Sequence, residues 1–231
     1  LDEAIAYCTE NGLKTGVTTG AYTLPRQAQA LAEAGLSRLS VSMDGPPDIH
    51  NHIRGRKDSF EQAYAGVEAF AAASRKLGRR PEIYLNCTIT NMNHHRLVDF
   101  YKAIEPLPVN TINFTYMWFI DPETAAEQNA LYGDRYAVSP SCYSEWIDPH
   151  AVDIDLLYDQ IQQLKDKPKV HFSPLFTREE LERYFHSPNE FVNPAGRCLA
   201  SWFFLQVLAD GGVIVYTRCH SKPVGNINDQ S

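Results

Sequence analysis

The sequence lacks most of the short motifs by which the chemistry of a protein is commonly recognised. It contains no GxGxxG, no phosphate-loop lysine motif, no GxSxG and no HExxH, so the usual dinucleotide, phosphate, hydrolase and zinc sites are not indicated. No stretch approaches the ~20 consecutive apolar residues that cross a bilayer. With a formal net charge of −7 and no run rich in lysine or arginine, the chain is also a poor candidate for binding nucleic acid through its phosphates.

Cysteine is scarce and scattered. The five cysteines form no CxxC pair, and an odd number at wide spacing argues against a disulfide framework and predicts a reducing, cytoplasmic setting. Cys8 and Cys87 fall in a predicted helix and a predicted strand, where structural roles are expected. Cys198 and Cys219 flank a predicted hairpin, so they are either two ligands of an iron–sulfur cluster or two unrelated buried thiols.

What is present is the composition of an ordinary folded protein. The 231 residues are 44% hydrophobic and 21% charged, which suits one large α/β domain or one domain with a small appendage. The chain begins with helical spacing at Leu1–Tyr7 and ends in a loop-like stretch at 225–231, so it is interpreted as an internal fragment of a longer protein. The absence of a targeting signal therefore indicates little about the parent protein.

Strand-like and helix-like segments alternate over the first half of the chain. Pro25 suits the first turn of its helix, Gly35 suits the end of that helix, and Ser59 with Gln62 predicts a capping box. The stretch between strand 37–44 and Ser59, which contains His50, is predicted to be a loop. The alternation predicts right-handed crossovers and a parallel sheet or barrel. Strands are predicted at about 14–19, 37–44, 82–90 and 109–117, and helices at about 1–12, 25–35, 59–78 and 93–104.

The second half is less regular. Residues 118–152 show no sustained period and predict a long binding loop or lid, whose aromatic side chains form either a substrate-facing wall or an ordinary packed lid. A helix at about 153–165, a strand at 169–172 and a helix opened by a Thr177–Glu180 capping box follow. Apolar segments on both sides of Asp210-Gly211-Gly212 predict a β-hairpin. The aromatic residues of the proposed wall are Trp118, Tyr132, Tyr136, Tyr143 and Trp146.

Three successive predicted strands carry polar side chains where a buried parallel strand is normally apolar. Alternate residues from Ser40 to Asp44 are polar, and Asn86 and Asn113 lie on the polar sides of the next two strands. Such a face lines a ligand-binding groove, or its hydroxyl groups bond with one another or face solvent. Arg54 suits a carboxylate or phosphate ligand, or is a surface arginine. Asp44 followed by Gly-Pro also fits a simple turn.

The order and spacing of several short runs resemble the middle of a radical S-adenosylmethionine (SAM) enzyme. The tail resembles the start of the auxiliary-cluster extension, called SPASM or twitch, that follows many such barrels. Together the matching runs extend over nearly the whole chain. They are Gly16–Gly20, Leu31–Leu36, Val41–Pro46, His50, Ile53–Gly55 and Ser59–Phe60, and in the tail Cys198, Asp210–Gly211, Cys219 and Gly225–Ile227.

The resemblance implies an α/β fold, namely a partial (β/α)6 barrel of the radical SAM, TIM-like type. This barrel would be truncated at its N-terminus and followed by the start of a small cysteine-containing β-hairpin extension. The chain would divide into the central part of the barrel (1–117), an insertion with following helices (118–192) and the start of the auxiliary-cluster domain (193–231). The CxxxCxxC loop that binds the 4Fe–4S cluster is expected before residue 1.

The resemblance also implies where SAM binds, because in this family SAM lies across the carboxyl ends of the strands. Ser42 and Asp44 match positions that contact SAM. Arg54 matches a downstream arginine that pairs with the SAM carboxylate. Thr19 lies near the family's TNG turn, which here reads Thr-Thr-Gly without the asparagine.

Further residues are implied on the substrate side and in the extension. Asn86 and Asn113 are expected on the inward side of their strands, where adenosine or substrate approaches. Cys198 and Cys219 match two ligands of an auxiliary iron–sulfur cluster. The segment after Asp210-Gly211 is somewhat longer than the family pattern.

The implied function belongs to the parent protein: a radical SAM oxidoreductase or transferase that reductively cleaves SAM to a 5′-deoxyadenosyl radical for hydrogen abstraction. The expected partners are a peptide, protein or small-molecule substrate and an electron donor such as a flavodoxin or ferredoxin, with no nucleic acid and no membrane. Without the upstream cluster loop, the fragment itself is expected to be inactive. Two alternatives stay open: a degenerate, non-catalytic barrel that binds a peptide or partner, and a TIM-barrel lyase or hydrolase with Asp44 as acid or base.

Overall fold

A computed structural model describes residues 1–141, 147–187, 205–215 and 223–229. The chain divides into two compact units. Unit 1 comprises residues 1–117 and 151–181, and unit 2 comprises residues 118–150 and 182–231. Residues 151–181, which the sequence analysis grouped with the insertion, therefore return to the same unit as the first strands.

Unit 1 is built on a five-stranded parallel sheet whose strands follow one another in chain order, β1-β2-β3-β4-β5. This confirms the predicted α/β class and the partial barrel. The strands are β1 (Gly16–Thr19), β2 (Arg38–Ser42), β3 (Glu82–Ile89), β4 (Thr111–Tyr116) and β5 (Val170–Ser173). The α-helices of both units, within the described residues, are α1 (Asp2–Glu10), α2 (Leu24–Ala34), α3 (Pro47–Ile53), α4 (Ser59–Lys76), α5 (Leu97–Ile104), α6 (Pro122–Tyr136), α7 (Ile154–Leu164) and α8 (Arg178–His186).

The sheet has one apolar and one polar face. Sequential parallel strands joined by right-handed crossovers place their connecting helices on the same face. The strand residues on that face are almost entirely inaccessible, as for Val41, Leu85 and Phe114. Residues between them, such as Ser42 and Asn86, remain partly accessible on the opposite face. Helix packing therefore explains why only every second residue of these strands is apolar.

The closest helix pair on the apolar side is α2 with α4. Helix α2 has Pro25 in its first turn and ends at Gly35, which adopts a left-handed conformation with φ of 89° as predicted for a glycine at a helix end. Gly66 of α4 faces Leu24 of α2 so closely that a side-chain carbon at Gly66 would lie 2.7 Å from Leu24 Cβ. The glycine at this position therefore permits the close approach of the two helices.

The segment predicted to be a loop after β2 contains helix α3. Pro47 occupies the first turn, where its missing N–H is not needed, and Pro46 before it is extended. His50 is therefore a helical residue that is completely buried, rather than a loop residue. A seven-residue helix carries too little periodicity to be recognised from the sequence.

Two predicted helix starts also differ from the structure. The Ser59–Gln62 capping box does not form, because Asp58 is the N-cap residue and Gln62 Nε2 donates to its carboxylate at 3.2 Å. Helix α5 begins at Leu97 instead of residue 93. Asn93 instead closes a turn, in which its Oδ1 accepts the backbone N–H of Thr90 at 2.8 Å. By contrast, the capping box of Thr177 and Glu180 does form. The Glu180 carboxylate accepts the backbone N–H of Thr177, and the Thr177 hydroxyl accepts the backbone N–H of Glu180.

Unit 2 contains a helix where no period was recognised. Helix α6 lies within the stretch predicted to be irregular, and Asp121 caps it by accepting the backbone N–H of Thr124 at 2.8 Å. The predicted hairpin around Asp210-Gly211-Gly212 is confirmed by antiparallel pairing of β6 (Gln206–Val207) with β7 (Gly212–Ile214). A third strand, β8 (Gly225–Asn226), pairs with β7. In the described segments, no helix is both long and apolar enough to cross a membrane.

Candidate functional site

Three predicted site residues lie at the carboxyl ends of β1 and β2. Thr19 is the last residue of β1, Ser42 is the last residue of β2, and Asp44 follows two residues later. Because β1 and β2 are parallel neighbours, their carboxyl ends meet at the same edge of the sheet. The structure therefore brings these residues to the edge at which ligands bind in parallel α/β sheets.

A row of polar side chains crosses the sheet at the level of Ser42. Ser42 pairs with Asn86 on β3, Asn86 pairs with Asn113 on β4, and Asn113 pairs with His171 on β5. Residues paired across parallel strands project from the same face, so these side chains share the polar face. Asn113 Nδ2 donates to Asn86 Oδ1 at 3.0 Å. The amide nitrogen of Asn86 and the amide oxygen of Asn113 can still bond to a ligand.

His171 is a member of this row that the sequence analysis did not identify. Its side chain is exposed, and its neighbours Val170 and Phe172 project to the other face, where Phe172 stacks on Phe114 at a centroid distance of 5.0 Å. A four-residue strand provides only one full alternation, which is too short a pattern to predict a site residue. The register with Asn113 is what places His171 beside the predicted residues.

Asp44 and Arg54 form the most strongly connected ion pair of the site. Arg54 Nε donates to Asp44 Oδ2 at 2.6 Å and Nη2 donates to Asp44 Oδ1 at 3.2 Å, so both carboxylate oxygens are engaged. Nη2 also lies 3.5 Å from the backbone oxygen of Ser42. The side chain of Asp44 is 13% exposed and that of Arg54 is 33% exposed. Helix α3 turns the chain back so that these two residues, ten positions apart, meet.

Two further residues hold the Asp44 backbone, and neither was predicted to belong to the site. His50 Nδ1 accepts the backbone N–H of Asp44 at 3.0 Å. Asn93 Nδ2 donates to the backbone oxygen of Asp44 at 2.7 Å and to that of Thr88 at 2.8 Å. Both peptide groups next to Asp44 are thus fixed by side chains from other elements. The sequence offered no signal for Asn93, because turn-forming asparagines are common and Asp44 lies 49 positions away.

The electrostatics of the site keep Asp44 ionised. Burial by itself would raise the pKa of the Asp44 carboxyl, but the two-pronged ion pair with Arg54 outweighs burial, so the pKa lies below its ordinary value. Burial, together with the nearby Asp44 charge, raises the pKa of the Cys87 thiol well above its ordinary value. Cys87 therefore stays a protonated, structural thiol, while Asp44 presents a negative charge to Arg54.

The lowered pKa of Asp44 predicts a specific loss of stability in acid. The unfolded state takes up the proton near the ordinary pKa of 3.8, before the native state does. The stabilisation due to Asp44 should thus be present above about pH 4 and disappear as the pH falls through the lower native pKa. Urea unfolding of the wild type and of Asp44→Asn from pH 7 to pH 3 measures it. The difference in free energy of unfolding between the wild type and Asp44→Asn should shrink in acid. A difference that is independent of pH would contradict the ion-pair assignment. Asp48→Asn, an exposed carboxylate on α3, is the matched control.

A pocket of about 250 Å³ adjoins Thr19 and Arg54. It lies between the loop after β1 and the segment that joins α3 to α4. Arg56 also lines the pocket and places its guanidinium 4.3 Å from the ring centroid of Tyr22. Thr19 Oγ1 accepts the backbone N–H of Ala21 at 3.0 Å and so shapes the first turn of the loop. The pocket thus presents two guanidinium groups beside the strand ends.

A larger cavity of about 510 Å³ lies at the opposite, amino end of the sheet. Residues at the starts of β1, β2 and β3 line this cavity. Among them, Arg38 and Glu82 form an ion pair. In barrels of this type ligands bind at the carboxyl end and the amino end serves stability. This cavity is therefore not part of the candidate site despite its size.

The predicted ligands of an iron–sulfur cluster cannot be placed by the structure. Cys198 and Cys219 lie outside the described residues, as do Cys142, Tyr143 and Trp146. Among the residues that are described, no group of three or more His, Cys, Asp or Glu side chains could hold a metal ion. The role of Cys198 and Cys219 as ligands of an iron–sulfur cluster stays a prediction.

Comparison with known proteins finds sequence similarity over part of the chain. Residues 1–104 match the sequence model described as the Radical SAM superfamily. An "AdoMet-dependent heme synthase" from Nitratidesulfovibrio vulgaris is 33% identical over 105 residues, which cover 45% of this chain and 27% of that protein. An "Fe-coproporphyrin III synthase" from Methanosarcina barkeri is 28% identical over 118 residues, covering 51% and 28% respectively. The aligned segments thus span about a quarter of these relatives.

Solved structures share the fold. Streptococcus suis SuiB superimposes with a TM-score of 0.53 at 13% identity, covering 93% of this chain and 46% of SuiB. The protein described as "Native anSMEcpe with bound AdoMet" gives a TM-score of 0.54 at 18% identity, covering 94% of this chain and 55% of that one. At these identities the likeness concerns the fold alone.

Proposed function

We propose that the protein containing this chain is a SAM-dependent enzyme and that the site at Asp44 and Arg54 holds part of SAM, because residues 1–104 match the sequence model of the Radical SAM superfamily. One observation carries the proposal: the matched segment folds so that Ser42, Asp44 and Arg54 meet at the carboxyl edge of the sheet. SAM bound at an iron–sulfur cluster supplies hydrogen-atom abstraction from a substrate. The described residues contain no cluster-binding set, so the residues that would hold the 4Fe–4S cluster are not among them.

The residues of the site fit the parts of SAM by their chemistry. SAM carries a carboxylate, an amino group, a ribose and an adenine, all of which form hydrogen bonds. We assign Arg54 to the carboxylate, because its guanidinium lines the pocket and lies 3.5 Å from the backbone oxygen of Ser42 at the strand end, and because guanidinium binds carboxylates strongly. Asp44 holds Arg54 in place, and Thr19 and Ser42 line the same edge. Asn86 and Asn113 retain an amide donor and an amide acceptor for adenosine or substrate.

We propose a peptide or protein as the substrate. The polar face of β3 to β5 offers amides, hydroxyls and His171, which suit the neutral hydrogen-bonding groups of a peptide. SuiB has been solved bound to its precursor peptide SuiA, and it has the same fold. The names of the curated relatives describe haem and coproporphyrin synthesis, so a small carboxylated molecule is the competing substrate class. We further propose a flavodoxin or ferredoxin as electron donor, an auxiliary cluster at Cys198 and Cys219, and a cytoplasmic location.

The proposal is tested on the full-length protein, purified and reconstituted with iron and sulfide under anaerobic conditions. After addition of SAM and dithionite, 5′-deoxyadenosine should accumulate in step with the iron content, as measured by liquid chromatography and mass spectrometry. A protein that assembles no cluster, or that assembles one and forms no 5′-deoxyadenosine, would reject the radical SAM activity. The first outcome would favour a non-catalytic barrel or an iron-independent lyase or hydrolase.

A further inference from the structure

His50 occupies an unusual position for an imidazole. Its side chain is completely buried, and its Nδ1 lies 3.0 Å from the backbone nitrogen of Asp44. Its other ring nitrogen, Nε2, is also buried and has no hydrogen-bond partner among the described residues. The ring packs edge-on against Phe60 at a centroid distance of 6.0 Å. An apolar side chain would fill this space without burying an unpartnered N–H, so the polar ring calls for a reason beyond filling space.

The hydrogen bond assigns the tautomer of His50. A ring nitrogen that accepts a backbone N–H carries no proton, so the neutral imidazole carries its proton on Nε2. The Asp44 carboxylate oxygen Oδ2 lies farther from Nδ1, at 3.4 Å, and is already bonded to Arg54 Nε at 2.6 Å. Nδ1 thus accepts a hydrogen bond from the backbone N–H of Asp44, while Arg54 donates hydrogen bonds to its carboxylate.

The two contacts fix different parts of the same residue. Asn93 holds the carbonyl of Asp44 and His50 holds its N–H, so the peptide planes on both sides of Asp44 are restrained. A carboxylate on a restrained backbone meets the guanidinium of Arg54 in one geometry, which is the condition for a preorganised binding site. Removal of the His50 acceptor would leave the Asp44 N–H buried without a partner and free this strand end to rotate.

We propose that His50 is a positioning residue of the SAM site, which acts by accepting the backbone N–H of Asp44 through Nδ1. This inference rests on the proposed function, since it treats the Asp44–Arg54 pair as part of that site. His50 itself touches no ligand. Its acceptor nitrogen, not its ring volume or charge, is the property that the site requires.

Two substitutions separate these properties on the full-length, reconstituted protein. Asparagine can place its Oδ1 near the position of Nδ1 and keep the acceptor, whereas leucine keeps apolar volume and removes it. We expect His50→Leu to weaken binding of the non-reactive probe S-adenosylhomocysteine about tenfold, which corresponds to one hydrogen bond, and His50→Asn to stay within about threefold of the wild type. Titration calorimetry measures both affinities. His52→Leu, at an exposed position of the same helix, is the matched control and should bind like the wild type.

The outcomes distinguish this inference from the proposed function. Wild-type affinity in His50→Leu, or equal losses in both His50 variants, would overturn the positioning role. A wild type that does not bind the probe would overturn the SAM site itself. Nitrogen NMR and amide hydrogen exchange on the ligand-free protein test the contact in either case. They should show a proton on Nε2 only, and an Asp44 amide that is protected in the wild type and His50→Asn but not in His50→Leu; any other pattern rejects the contact.

Discussion

Arg54→Gln is expected to weaken binding of S-adenosylhomocysteine to the reconstituted full-length protein by about 10- to 100-fold. Hydrogen bonds that involve a charged group contribute about 1.5–3 kcal/mol, and glutamine removes both the charge and the planar fork of the guanidinium. Titration calorimetry under anaerobic conditions measures the affinity. Arg54→Lys should lie between the wild type and Arg54→Gln, because lysine keeps the charge without the two-pronged geometry.

Arg54→Gln should also destabilise the fold, so stability and binding must be separated. The substitution leaves the mostly buried carboxylate of Asp44 without its cation, at a cost of about 2 kcal/mol for a pair that is partly exposed. Adding Asp44→Asn removes that uncompensated charge. The double variant should therefore recover much of the stability without recovering the binding.

Two results would contradict the assignment of Arg54 to the ligand. One is an Arg54→Gln protein that binds the probe within about twofold of the wild type. The other is a double variant whose affinity recovers together with its stability, since that would make the loss a consequence of local unfolding. Arg96→Gln, an arginine whose ion pairs to Asp48 and Asp99 lie at the surface, is the control and should change neither property by much.

Gly66→Leu is expected to lower the free energy of unfolding by about 3 kcal/mol or more, the largest stability effect that we predict. A side-chain carbon at Gly66 would lie 2.7 Å from Leu24 Cβ and 2.8 Å from Leu24 Cγ, well inside normal contact distance. Since Leu24 is itself buried in the interface of α2 and α4, the two helices would have to move apart. Urea unfolding followed by circular dichroism measures the loss.

The matched control lies one position earlier in the same helix. Ala65 is exposed, so Ala65→Leu adds the same bulk to α4 on its solvent side and should change stability by less than about 0.5 kcal/mol. Similar losses for Ala65→Leu and Gly66→Leu would show that leucine is unfavourable anywhere in this helix. That result would contradict a specific role for the close α2–α4 approach.

The sequence predicted the regular elements that have strong local patterns. The four strands from 14 to 117 and the end of α2 at Gly35 follow from period-two alternation and from glycine at a helix end. Both signals come from residues a few positions apart. The short helix α3 was missed because seven residues carry too little periodicity, and the N-cap of α4 was placed one residue late, at Ser59 instead of Asp58.

For the candidate site too, some features could be predicted from the sequence and others could not. Ser42 and Asp44 could be identified because polar residues are unexpected along a buried strand and at its end, and Arg54 because it matches a known order of runs. Their mutual contacts could not, because the Asp44–Arg54 pair depends on how α3 turns the chain back. His171 joined the site only through the register of β4 with β5.

The sequence by itself determined the class of the fold, the polar side of three strands and the match of residues 1–104 to the Radical SAM superfamily. These properties are encoded in local periodicity and in the order of short runs, which need no knowledge of packing. Only the tertiary structure decided which groups support Asp44: Arg54 on its carboxylate, His50 on its N–H and Asn93 on its carbonyl. The physical reason is that a hydrogen bond depends on positions in space to within a few tenths of an ångström, and those positions are set by the packing of the whole sheet and its helices.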